Sequence, residues 1–180
     1  MKHGTIGTAL PLIAAERFVL RPLRSSDAGL VQLYASDRRV AEMTTSIPHP
    51  YPPGAAEAFV ERALEDHGRR AVWALDASAH SSSELLGVVS LARLDREQDE
   101  IGYWVAPALW NAGYASEAVN SIVAANPLDS KALFATVFQN NPGSARVLTN
   151  AGFEYVGDAE AYSVARGATM PTWTYIRRLG

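Results

Sequence analysis

Trp110-Asn111-Ala112-Gly113-Tyr114-Ala115-Ser116-Glu117-Ala118 follows an apolar, strand-like run, Ile101 to Val105, and a turn at Pro107. It opens a segment whose apolar residues are Ala115, Ala118, Val119, Ile122 and Val123. Those offsets are i, i+3, i+4, i+7 and i+8, one face of an α-helix. A turn of small residues therefore sits where a strand hands over to a helix. Such a turn presents unpaired backbone N–H groups and the positive end of the helix dipole. Phosphate groups bind well there.

The rest of the chain supports this turn. Its 180 residues suffice for one domain with a sizeable core and are short for two. Apolar residues make up 48% and charged residues 19%, as in an ordinary globular protein. A net charge of −3 gives no electrostatic case for nucleic acid, which needs a basic face. No apolar run has the roughly 18 residues of a membrane helix. Cysteine is absent, which excludes disulfides, thiolate metal sites and a Cys nucleophile. His3, His49, His67 and His80 are scattered, with no i, i+4 pair, so no metal site is expected. Residues 1–16 read as a loose N-terminal arm and 17–180 as a single domain, cytoplasmic, as a monomer or homodimer.

Taken in order, Arg17 to Leu23 alternates like a strand. Ser25-Ser26-Asp27 offers N-caps for a helix to about Ala35, with Leu30, Leu33 and Tyr34 as its apolar stripe. Asp37 to Glu42 extends it or starts another turn. Pro48 to Gly54 is a surface loop, because proline removes donors and fixes φ. A helix from Ala56 to His67 carries Phe59, Val60, Ala63 and Leu64 on one face and stops at Gly68. Ala71–Leu75, Leu85–Leu94 and Glu100–Val105 are strands with short connections, hence antiparallel neighbours. The helix after the small-residue turn stops at Asn126-Pro127. Lys131 to Phe138 is a strand reached through that helix, so it can run parallel to Glu100–Val105. Asn141 as N-cap and Pro142 as N1 open another helix, ended by Gly152. Phe153–Val156 and Met170–Arg177 are closing strands around a loop, Asp158–Thr169. The result is a mixed α+β fold.

The segments Glu100-Ile101-Gly102-Tyr103-Trp104-Val105, Trp110 to Ala118, Asn140-Asn141-Pro142-Gly143-Ser144 and Ala151-Gly152-Phe153 together resemble the GNAT superfamily of acyl-CoA-dependent N-acetyltransferases. The branch of ribosomal-protein-alanine N-acetyltransferases is the most similar one. Phe18 to Leu23 with Asp27 also looks like the start of that branch. The resemblance implies a three-layer fold: a mostly antiparallel sheet, helices on both faces, splayed between Glu100–Val105 and Lys131–Phe138. It implies acetyl-CoA as co-substrate, with its pantetheine arm against Tyr103, Trp104 and Val105. The pyrophosphate is expected on Trp110, Asn111, Ala112, Gly113, Tyr114, Ala115 and Ser116, which agrees with the anion site read from the backbone. Asn140 is expected to hydrogen-bond the pantetheine.

The sequence departs from the family pattern at Asn111, where a Gly is common; Asn is the non-Gly residue that best tolerates left-handed φ. Leu148 stands where the family often has the tyrosine that protonates the leaving thiolate, and the resemblance leaves Ser144 for that role. Glu100 is the implied general base, because an amine is mostly protonated at neutral pH and must lose a proton before it attacks. A backbone N–H near Val105 is the implied oxyanion donor. The implied reaction is direct acetyl transfer to a primary amine, either a protein N-terminus or a small amine. The alternative is a degenerate member that holds acyl-CoA for regulation or provides an interface.

Overall fold

The computed structural model describes residues 10–65 and 69–180. The strands are β1 (Ile13–Ala14), β2 (Val19–Pro22), β3 (Arg70–Asp76), β4 (Gly87–Arg93), β5 (Gln98–Val105), β6 (Ala132–Phe138), β7 (Glu154–Ser163) and β8 (Ala168–Arg178). The helices are α1 (Ala28–Ala35), α2 (Arg38–Ala41), α3 (Ala55–Glu65), α4 (Tyr114–Ala125) and α5 (Pro142–Asn150). The strands form one sheet in the order β1-β2-β3-β4-β5-β6-β8-β7. All neighbours are antiparallel except β5 and β6, which run parallel through the α4 crossover. The α+β reading and its one parallel pair therefore hold.

The central strands are buried on both sides, and the helices divide between two cores. One core gathers Phe18, Trp73, Leu91, Val119, Ile122, Leu133 and Leu148 under α4 and α5. The other gathers Leu23, Val31, Ala35, Val60, Val72 and Val88 under α1 and α3. The α4 stripe is as its period requires: Ala118, Val119 and Ile122 are buried, with Ala115 and Val123 packed beside them. The cap geometry of α5 also holds, with the Asn141 Oδ1 accepting from the Ser144 N–H at 3.3 Å.

Four expectations need correction. In α1 the fully buried residues are Val31 and Ala35, whereas Leu33 is exposed. An eight-residue helix admits two overlapping stripes, and packing against Val60 and Val72 selects the other one. In α3, Leu64 is exposed and Ala56 takes its place in the core. The expected helix end at His67 and Gly68 lies outside the described residues, as do residues 1–9 of the expected arm and His3. Residues 10–16 are tied to the sheet: Ile13 is buried, and the Trp73 indole donates to the Pro11 carbonyl at 3.0 Å. The largest difference is at the C-terminus. The expected loop Asp158–Thr169 belongs mostly to a long β7–β8 hairpin, paired from Glu154↔Ile176 to Ser163↔Ala168 across a bulge at Tyr155/Gly157. Its tip folds back on the segment after α2: the Val164 N–H donates to the Thr45 carbonyl at 3.1 Å, and Arg166 approaches Glu42 at 3.8 Å.

Among the described residues no helix is long and apolar enough to cross a membrane. A buried charge cluster fastens the opposite edge of the sheet. Arg21 donates to Asp27 through both terminal nitrogens, at 2.9 and 2.8 Å, and through Nε to Asp76 at 2.7 Å. Its hydrogen bond with Asp27 holds the Arg21 pKa well above the ordinary guanidinium value, against the opposing pull of burial.

Candidate active site

The site begins where β5 and β6 part. They pair only at Gln98↔Ala132, Asp99↔Leu133 and Glu100↔Phe134. Asp99, fully buried, pins this vertex by accepting from Arg93 Nε at 3.0 Å and from Ser130 Oγ at 2.5 Å. Beyond Glu100, β5 stays paired to β4 through Gly87↔Val105, while β6 stays paired to β8 through Phe138↔Thr172. Their facing edges diverge. On β5 the Gln98 carbonyl accepts from Leu94, and the Ala106 N–H donates to Leu86. Even-numbered backbone groups thus face β4. By the alternation of an antiparallel ladder, those of Ile101, Tyr103 and Val105 face the gap. The Val105 carbonyl is met there by the Trp110 indole N–H at 2.8 Å.

The small-residue turn closes one end of the gap. Asn111 sits at φ 62° and Gly113 at φ 85°, both left-handed. Asn tolerates this conformation with a local cost, and Gly without one. The first helical N–H bonded within α4 is that of Glu117, to the Gly113 carbonyl at 3.0 Å. The N–H groups of Tyr114, Ala115 and Ser116 therefore point out of the helix end, where an anion is favoured. Arg17 braces this turn from behind. It donates to the Ala112 carbonyl at 2.9 Å and to Glu117 Oε1 at 3.2 Å, and lies 3.9 Å from the centre of the Tyr114 ring. A Cβ on Gly113 would stand 3.3 Å from the Arg17 guanidinium. Sequence reading missed Arg17, since its partners are about a hundred residues away.

Across the gap stands a hydroxyl pair. Tyr103 Oη, from β5, lies 2.7 Å from Ser144 Oγ, in the first turn of α5. Burial pushes the Tyr103 phenol up to about 12, and the Ser144 hydrogen bond offsets part of this. The phenol therefore stays protonated at neutral pH and can donate to Ser144. Leu148, one helical turn further on, is fully buried in the core and offers no proton.

Glu100 occupies the vertex. Its side chain opens on a continuous groove of about 970 Å³ that spans the sheet from the α2–α3 segment to α5. The residue is exposed to solvent. Crowding by the groove walls nonetheless pushes its pKa above the ordinary carboxylate value, with the Arg70 charge pulling it partly back.

The groove brings together most of the residues expected from sequence: Glu100, Tyr103, Trp104, Val105, Trp110, Asn111, Gly113, Tyr114, Ala115, Ser116 and Ser144 all line it. Two do not. Ala112 turns its carbonyl to Arg17, and Asn140 is exposed on the turn before α5, where Asn141 takes the wall position instead. Arg62 on α3, Arg70 on β3 and Thr136 on β6 also line the groove. No local pattern marks them, because only the tertiary fold brings them to one wall.

A splayed parallel seam beside a left-handed turn at a helix N-terminus is the arrangement the sequence motifs imply. The acetyltransferase (GNAT) domain family matches residues 17–154. The chain belongs to this family. It is an N-acetyltransferase that works with acetyl-CoA. It is 26% identical to the N-acetyltransferase YoaA of Bacillus subtilis (strain 168) over 174 residues, covering 92% of this chain and 95% of that protein. Its fold is similar to that of RimL, a ribosomal L7/L12 α-N-protein acetyltransferase solved with coenzyme A. The TM-score is 0.79 at 14% identity, over 94% of this chain and 98% of that one. It is also similar to a spermidine N-acetyltransferase from Vibrio cholerae solved with CoA and spermine. There the TM-score is 0.76 at 16% identity, over 91% and 96% of the two chains.

Proposed function

We propose that this acetyltransferase moves an acetyl group directly from acetyl-CoA to a primary amine, on a small molecule or a protein N-terminus. The observation that carries the reading is that one groove joins a carboxylate at the vertex, Glu100, to a hydroxyl pair across the seam, Tyr103–Ser144. Bound acetyl-CoA supplies an activated thioester. Its residues of contact would be the open edge of β5 from Tyr103 to Val105 and the turn from Trp110 to Ser116. The unpaired N–H groups at that helix end fit a pyrophosphate. Asn141, rather than Asn140, lies in the wall beside this path.

Each protein group then has a task. Glu100 takes a proton from the ammonium form of the acceptor, directly or through water. Its raised pKa improves it as a base near neutrality. The Val105 N–H faces the gap and meets negative charge developing on the acyl oxygen. Ser144 gives its proton to the departing thiolate. The Tyr103 phenol, kept protonated, hydrogen-bonds Ser144 Oγ and orients it, and solvent restores the proton that Ser144 gives up. Amine acceptors are also what RimL and the Vibrio cholerae enzyme are named for.

The test is release of free thiol from acetyl-CoA with a panel of primary amines. Amine-dependent release is expected. Tight acetyl-CoA binding without release from any acceptor would leave only an acyl-CoA-holding module.

A further inference from the structure

The charges that line the acceptor end of the groove are unbalanced. Among the described residues the groove wall holds a single carboxylate, Glu100, against Arg62, Arg70 and, on α5, Arg146. Arg70 pairs in register with Ala92, which pairs with Glu100. Arg70 and Glu100 therefore share one face of the sheet, two strand spacings or about 10 Å apart. Arg62 enters from α3, near enough to Tyr51 for its charge to act on the phenol, as the Arg70 charge acts on Glu100. Neither arginine side chain hydrogen-bonds or ion-pairs with a described residue. The remaining polar wall there is neutral, from Thr44, Thr45 and Ser46. One carboxylate suits one ammonium. A second cationic group on the acceptor would meet two arginines and no further acid in the groove wall; Glu57 acts on Tyr51 from outside that wall, and more weakly than Arg62. Like charges brought together cost free energy.

We propose that the acceptor is a primary amine bearing an anionic group, a carboxylate or phosphate ester, that Arg62 and Arg70 hold while Glu100 receives the amine. Arginine presents a planar fork of donors that suits both anions. The proposal rests on the acetyl-transfer reading above and sharpens it. It also sets this enzyme apart from one whose acceptor is a polyamine.

The test compares thiol-release kinetics for matched acceptors with the full-length enzyme. Aspartate, phosphoethanolamine and a short peptide with acidic second and third residues separate the three sources of the anion. Their amidated or unphosphorylated counterparts and spermidine serve as controls. At least one anionic acceptor is expected to exceed its neutral counterpart and spermidine by about tenfold or more in kcat/KM, since a lost charge-assisted contact of this kind costs roughly a factor of ten. Arg62→Glu and Arg70→Glu should each abolish that preference without changing the KM for acetyl-CoA, and Arg70→Lys should retain part of it. Both side chains are exposed, so unchanged melting temperatures are expected and check folding. Spermidine or the neutral amines being used as well as the anionic ones overturns the proposal and leaves acetyl transfer standing. So does an unchanged preference in both arginine variants. No thiol release with any amine, despite acetyl-CoA binding, overturns the proposal together with the reading beneath it.

Discussion

The two edges of β5 have opposite fates. On one side it pairs with β4 along its whole length, from Arg93↔Asp99 to Gly87↔Val105. Contact there is so close that a Cβ on Gly87 would stand 2.2 Å from the Trp104 carbonyl oxygen. On the other side it pairs with β6 only at Gln98, Asp99 and Glu100, then stands free. The charges divide as well, between a sealed cluster and the groove. In the cluster, Arg21 is bonded to Asp27 and Asp76 and is nearly inaccessible. In the groove, Glu100, where the open edge begins, faces Arg62 of α3 and Arg70 of β3, and none of the three has an ion-pair partner among the described residues. The cluster holds the sheet. The groove keeps its charges for ligands, and on this account the chemistry starts at the open edge.

Substitutions should reveal that division. The largest effect is expected from Arg21→Met, which leaves the fully buried Asp27 without a counter-charge and Asp76 with only Arg24, 3.9 Å away. Breaking such a network from one side costs about 3–5 kcal/mol, read as a fall in the denaturant midpoint. Arg70→Met should change stability by less than about 0.5 kcal/mol. The same cluster makes the fold acid-sensitive. Burial raises the Asp76 pKa, but hydrogen bonds from Ser78 and Arg21 outweigh it and leave the group below its ordinary value. Its stabilisation is therefore complete above the ordinary aspartate range and disappears as pH falls through the lowered value.

Ser144→Ala comes next. It should lower kcat about a hundredfold, the lower end for loss of a general acid, with little change in CoA affinity. Equal turnover would remove Ser144 from the chemistry. Tyr103→Phe should have the smaller effect, because it deprives Ser144 of a partner and not of its own proton.

Glu100→Gln is expected to cost about tenfold near neutral pH, since a fraction of the amine is already deprotonated. Its signature is in the pH profile. A base works when ionised, so wild-type turnover should fall as pH drops through the Glu100 pKa, and above the ordinary carboxylate range because that pKa is raised. In the variant this limb should vanish and the rate should follow the amine's own ionisation. An identical profile for both proteins would exclude Glu100 as the base. The smallest effect is predicted for Arg17→Ala. With the brace on Ala112 and Glu117 lost, KM for acetyl-CoA should rise a few-fold while kcat is kept.

Much of this arrangement is legible in the sequence, and the illegible parts share a cause. The strand, turn and helix from Ile101 to Ala125 follow from apolar periodicity and from Asn111 and Gly113, all local signals. The β7–β8 hairpin does not. Gly157-Asp158-Ala159-Glu160-Ala161 is poor in β-forming residues, and β7 is exposed along most of its length, so no alternation marks it. The two-stripe ambiguity of α1 is also settled only by what packs against it. Arg62 looks like a solvated helix residue and Arg70 like a strand end. The groove wall between them exists only once β3, β4 and β5 are in register.

The division between the edges of β5 can be measured amide by amide, with hydrogen exchange followed by NMR with and without acetyl-CoA. Gly102 and Trp104 face β4 and should be protected in both states. Tyr103 and Val105 face the gap, and their exchange should slow on addition of acetyl-CoA. Unchanged exchange at Tyr103 and Val105 with saturating acetyl-CoA would contradict the assignment of the open edge as the acyl-donor site.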